Sequence, residues 1–61
     1  MIEEYLYRLK RELTKKNVPE ADDIVKYFDE IIEDRIEQGE DLEEVLRDLG
    51  EPEQIVKAFG G

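Results

Sequence analysis

The chain is predicted to fold as an all-α domain, a compact bundle of four short helices whose last two form a helical hairpin. Three observations carry that prediction: apolar residues recur every three or four positions along nearly the whole chain, the runs are interrupted at Asn17-Val18-Pro19, Gly39 and Gly50-Glu51-Pro52, and no stretch alternates with the period of a strand. There is no internal repeat and no low-complexity linker, so all 61 residues read as a single domain.

In the first element Ile2, Leu6, Leu9 and Leu13 follow at spacings of four, three and four, with Tyr5 beside them and charged residues between. That pattern predicts an amphipathic helix over about residues 2–16. The residue before a proline is steered away from helical geometry, whereas proline suits a first helical position, so a second helix is expected from Pro19 to about Gln38. Its apolar face is Ala21, Ile24, Val25, Phe28, Ile31 and Ile32, and Gly39 ends it. Asp41, with Glu44 three positions on, forms a capping box that opens a third helix over 42–49. Gly50 is expected to supply its left-handed stop, and Pro52 to open a fourth helix over 52–59. Helices this short do not persist alone in water, so Leu46, Leu49, Ile55, Val56 and Phe59 must be buried on the first two. The expected core is Leu6, Leu9, Leu13, Val18, Ile24, Phe28, Ile31, Ile32, Val45, Leu46, Leu49, Ile55, Val56 and Phe59.

Composition removes whole classes of function. With no cysteine and no histidine, disulfides, zinc sites of the usual nitrogen and sulfur kind, and cysteine- or histidine-based catalysis are excluded. A domain of this size buries only about 60% of the surface its unfolded chain exposes, which leaves helix packing, aided by self-association, to hold it together. The formal charge is −9, which opposes binding to nucleic acid or to an anionic membrane surface. It is unevenly spread: residues 1–16 hold five basic against three acidic side chains, a balance of +2, and residues 17–61 hold four against fifteen, a balance of −11. No run approaches the roughly 20 apolar residues of a membrane span, and no signal-peptide run opens the chain. The segment is therefore expected to be soluble and cytoplasmic, with no direct membrane contact.

The densest constellation is the carboxylate run Asp29, Glu30, Glu33, Asp34, Glu37, Glu40 and Asp41. Read as a calcium loop opening at Asp34, it places Gly39 correctly at the sixth position but Ile36 at the third and Val45 at the twelfth, where neither can ligate. No metal or other cofactor is expected, and the run is read as a solvated acidic face. Catalysis by two of these carboxylates would require a concave pocket that raised one pKa, and so small a chain has little room for one. The chain is not expected to be an enzyme. Arg35 falls on the edge of the second helix's apolar face, where its stem can pack and its head can pair an acid. Tyr7 lies off the apolar line of the first helix and marks a contact surface. Tyr7, Asp29, Glu30, Glu33, Asp34, Arg35 and Glu37 are thus the candidate partner-binding residues. A helix-turn-helix reading is opposed by Glu43, Glu44, Asp48, Glu51 and Glu53, which outnumber Arg47 and Lys57 on the surface that would meet DNA.

Tyr5-Leu6 with Leu9 and Leu13, Pro19-Glu20, Tyr27-Phe28-Asp29-Glu30-Ile31-Ile32-Glu33-Asp34, Gly39, and the run from Glu43 to Val56 with its Leu49-Gly50-x-Pro52-x-x-Ile55 element together resemble the HAAS signalling domain. The resemblance spans nearly the whole chain. It implies a small helical module at the N-terminus of bacterial membrane proteins, associated with a PadR-like transcription regulator, acting in signalling and not as an enzyme. It also implies that the domain is tethered to the inner face of the membrane by helices beyond Gly61. The expected function is a non-catalytic protein–protein interaction module working with such a regulator. The alternatives are a self-associating structural or spacer domain and a free-standing acidic DNA mimic.

Overall fold

The computed structural model describes residues 2–60, which form α1 (Ile2–Lys15), α2 (Ala21–Glu37), α3 (Leu42–Leu49) and α4 (Pro52–Gly60). The described residues are all-helical. α2 and α4 both pack on α1, and α3 packs on α2. The expected hairpin of the last two helices is not formed. α3 and α4 do not pack face to face but succeed one another as a bent arm, and counted that way the domain has three helices. The reason lies at Gly50, whose φ of 95° is positive as expected but whose ψ of 173° is extended. A compact left-handed stop would fold the chain back, whereas this conformation only bends it.

The first joint is also built differently from the expectation. α1 ends in a Schellman turn: Asn17 has φ 57°, its N–H donates to the Thr14 carbonyl at 3.0 Å, and the Val18 N–H donates to the Leu13 carbonyl at 2.9 Å. Asparagine tolerates this left-handed backbone better than most residues. Pro19 is not the first residue of α2. It lies in the turn, and Glu20, at φ 60° and ψ 38°, stands immediately before the helix begins at Ala21. Pro52, by contrast, does open α4, with the Ile55 N–H donating to the Glu51 carbonyl at 3.1 Å. The capping box at Asp41 is absent. Its backbone is extended as an N-cap requires, and its carbonyl accepts from the Val45 N–H at 3.0 Å, but its exposed carboxylate makes no cap hydrogen bond.

The buried core is Tyr5, Leu9, Leu13, Ile32, Val45, Ile55 and Val56, with Pro52 also buried. Leu6, Val18, Ile24, Phe28, Leu42, Leu46 and Leu49 are half-buried and pack around it, together with Ile36, which the apolar pattern did not single out. Two expected core residues depart from that set. Ile31 is half-buried without joining the packed cluster, and Phe59 is 52% exposed. The apolar period carries on to Phe59 in sequence, but it falls in the last turn of α4, over which no described element closes. Tyr5, read from the sequence as a companion of the apolar line, is central: α1 turns it inward, and its hydroxyl donates to the Gly50 carbonyl at 2.6 Å, tying α1 to the bend of the arm.

A candidate protein-interaction surface

The α2 sequence puts its apolar residues on α1 and α3 and leaves the carboxylates outside. Glu30, Glu33, Asp34 and Glu37 are set toward the outer side, with Asp29 at the edge; Glu30, Glu33 and Asp34 are solvent-facing carboxylates of the middle turns. Helical spacing sets Asp29 one turn from Glu33, Glu30 from Asp34, and Glu33 from Glu37. Each like-charge pair at that spacing opposes the helix by about 0.2–0.5 kcal/mol. Asp34 receives a hydrogen bond from Gln38 Nε2 at 3.0 Å, and among the described residues Glu30, Glu33 and Glu37 form no ion pair. Nor do any three acidic side chains converge as a metal site would require, among the same residues.

Arg35 is placed differently from the other candidates. Its guanidinium holds Glu40 through Nε at 3.0 Å and Nη2 at 2.6 Å, and reaches Asp48 on α3 at 2.9 Å through the same Nη2. The backbone explains how residues five apart can meet. α2 ends in a second Schellman turn around Gly39, with φ 94°, where the Gly39 N–H donates to the Ile36 carbonyl at 2.9 Å and the Glu40 N–H to the Arg35 carbonyl at 3.1 Å. The side-chain pair therefore spans the two positions that an apolar contact usually joins in such a turn. The hydrogen bonds that Arg35 donates to Glu40 and then to Asp48 raise its pKa further above its ordinary value, and the bond from Arg35 holds the Glu40 carboxyl below the usual 4.5. Arg35 is engaged within the domain, fixing the start of the arm, and is not a free contact for a partner. Glu40 and Asp48 are the ion-pair partners of Arg35 that sequence reasoning missed; the signal was Gly39 between an arginine and an acid five positions on.

Tyr7 is 66% exposed on the outer side of α1, where it lines a shallow groove with Lys10, Arg11, Thr14 and Lys15. Lys10 pairs with Asp22 at the start of α2 at 3.0 Å. On the other flank of α1, Arg8 reaches Glu51 at 3.3 Å and Glu53 at 3.2 Å on the arm. Above them Tyr5, Arg8, Leu46, Arg47 and Glu51 line a second open groove. Burial, and after it the nearby Glu51 charge, raises the Tyr5 pKa above 10, and Arg8 opposes that shift. Tyr27 is 60% exposed on α2, its ring edge-on to Phe28 at 5.6 Å.

A small helical domain with a bent final arm and two outer faces of opposite charge offers surfaces to proteins. The HAAS family model matches residues 4–58, from the first turn of α1 to the last of α4. This chain belongs to the HAAS family. Membership of that family implies a protein-interaction domain. No curated protein and no solved structure matches the chain. Among the described residues of this HAAS domain no helix is long and apolar enough to cross a membrane.

Proposed function

We propose that this HAAS domain is a non-catalytic docking module that receives a basic surface of a protein partner on the acidic outer face of α2, through Glu30, Glu33, Asp34 and Glu37 with Asp29 at the edge. The observation that carries the reading is that, among the described residues, these carboxylates are left outside without basic partners in a helix they destabilise by mutual repulsion. A cationic partner relieves that repulsion, so part of the helix's own strain becomes affinity, and the remaining acidic field speeds encounter. The partner that the family resemblance suggests is a PadR-like transcription regulator. In this reading the domain is held at the cytoplasmic side of a membrane by a segment outside residues 1–61.

Titration with a PadR-like regulator tests the reading. Binding is expected to weaken as salt rises from about 50 to about 500 mM, and Glu30→Lys with Glu33→Lys is expected to lower affinity about tenfold or more. Affinity that tracks neither salt nor these charges overturns it.

A further inference from the structure

The outer faces of α1 and α2 are complementary to each other, and neither is covered within the domain. On α1, Tyr7, Arg11, Thr14 and Lys15 lie at helical spacing and are all exposed. Among the described residues neither Arg11 nor Lys15 forms an ion pair. On α2, Tyr27, Glu30 and Asp34 are exposed at the same kind of spacing, with Glu37 one turn further along. Each face thus carries one open tyrosine, Tyr7 at 66% and Tyr27 at 60% exposed; Glu3 and Glu4 lie one turn before Tyr7, and the face turns basic beyond it, at Arg11 and Lys15. The two helices are also alike in length, 14 and 17 residues, or roughly 21 and 26 Å. Within one copy the same two helices already meet through opposite charges, at Lys10 and Asp22.

We infer that the occupant of the basic α1 face is a second copy of this chain. α1 of each copy lies against the acidic face of α2 of the other, giving a two-fold dimer in which the same contact is made twice. The net charge of −9 opposes the approach of two copies. That repulsion is screened beyond about 8 Å at physiological salt, whereas the basic and acidic side chains of the contact meet at much shorter range. Two helical stripes about 10 Å wide amount to roughly 450 Å² per copy, below the ~800 Å² of a standard interface, so the dimer is weak and transient. The reading is independent of the regulator proposed above. It further implies that self-association and regulator binding compete for the α2 face.

Charge-reversed pairs test this. The variant Arg11→Glu/Lys15→Glu makes both outer faces acidic, and Glu30→Lys/Asp34→Lys/Glu37→Lys makes both basic. In sedimentation equilibrium at about 150 mM salt the wild type is expected to dimerise reversibly in the range of tens to hundreds of micromolar, more weakly at about 500 mM. Each variant alone is expected to remain monomeric, and an equimolar mixture to recover a dimer. The α1 variant separates the two readings, since it abolishes self-association and leaves regulator binding in place. Zero-length carbodiimide cross-linking of the wild type, mapped by mass spectrometry, needs no variant to fold. With one copy isotope-labelled, it is expected to join Lys15 of one copy to a carboxylate of α2 in another. A wild type that stays monomeric to about 1 mM at about 150 mM salt, a mixture that fails to dimerise when both variants are folded, or intermolecular cross-links confined to other elements overturns the inference.

Discussion

The joints before and after α3 both contain a glycine of nearly the same φ, 94° at Gly39 and 95° at Gly50, yet they are held by different forces. At Gly39 the chain closes a Schellman turn, and the closure is reinforced at the surface by Arg35, Glu40 and Asp48. At Gly50 the chain stays extended and is tied inward, its carbonyl accepting from the Tyr5 hydroxyl while Pro52, Ile55 and Val56 enter the core just beyond. A positive φ is thus a permission and not a shape. The contacts made by the residues after each glycine decide whether the chain turns back or merely bends.

The sharpest test of that contrast is to remove the permission at each joint. Gly50→Ala forces a side chain into a region that only glycine occupies readily, and the cost is backbone strain, because the new Cβ would meet only Gln54 Oε1 at an ordinary 3.5 Å. A loss of about 2–3 kcal/mol is expected, a large part of the stability of so small a domain. At Gly39 a Cβ meets nothing within 4 Å, and the left-handed region of a Schellman turn is open to other residues, so Gly39→Ala should lose about 1 kcal/mol. Urea midpoints at an unchanged m-value measure both. Equal losses would mean that the two glycines are equivalent after all.

The next effect isolates the buried tie. Tyr5→Phe keeps the ring and leaves the half-buried Gly50 carbonyl without its donor, for an expected loss of about 1 kcal/mol at pH 7. Because the folded-state pKa of Tyr5 is raised above 10, its contribution is complete below pH 10 and is lost as pH rises through the raised value. The gap between wild type and variant should therefore close on the alkaline side. A gap that stays constant to about pH 11.5 would mean that the hydroxyl contributes nothing that its ionisation removes.

The legible part of the molecule is the part set by local forces. The four helical runs, the breaks at Asn17, Gly39 and Gly50, and Pro52 at the head of α4 are written in short-range signals, and the structure shows them at those places. Two local signals failed, Pro19 lying in the turn before α2 and Asp41 making no cap hydrogen bond, and other misplaced features depended on partners elsewhere in the chain or on backbone angles. Tyr5 looks peripheral until the arm brings Gly50, 45 residues on, against it. Phe59 continues an apolar period but lies past the last covering element. The hairpin required a ψ value at Gly50 that no residue letter specifies. Among the candidate contacts, the outward placement of Tyr7 and of Glu30, Glu33 and Asp34 is a consequence of helical phase alone. The engagement of Arg35 required knowing that Gly39 closes its turn so as to carry Glu40 back over the end of the helix.

The smallest expected effect lies at that surface joint. Glu40→Gln keeps the Schellman backbone and removes the charge that Arg35 holds. Both side chains retain substantial contact with water, 26% and 36% exposed, so the change should lower the melting temperature by only a few degrees, as expected of a solvent-screened pair. Its pH dependence is opposite in sense to that of Tyr5. The folded-state pKa of Glu40 lies below 4.5, so its stabilising contribution is complete well above pH 4.5 and falls away as pH drops through that depressed value. The difference between wild type and Glu40→Gln is expected to vanish in acid and in about 1 M salt, while the Tyr5→Phe difference persists in both. If instead salt erases the Tyr5 difference, or leaves that at Glu40 intact, the division into a charged joint and a buried one fails. The start of the bent arm would then be held by packing at both of its ends.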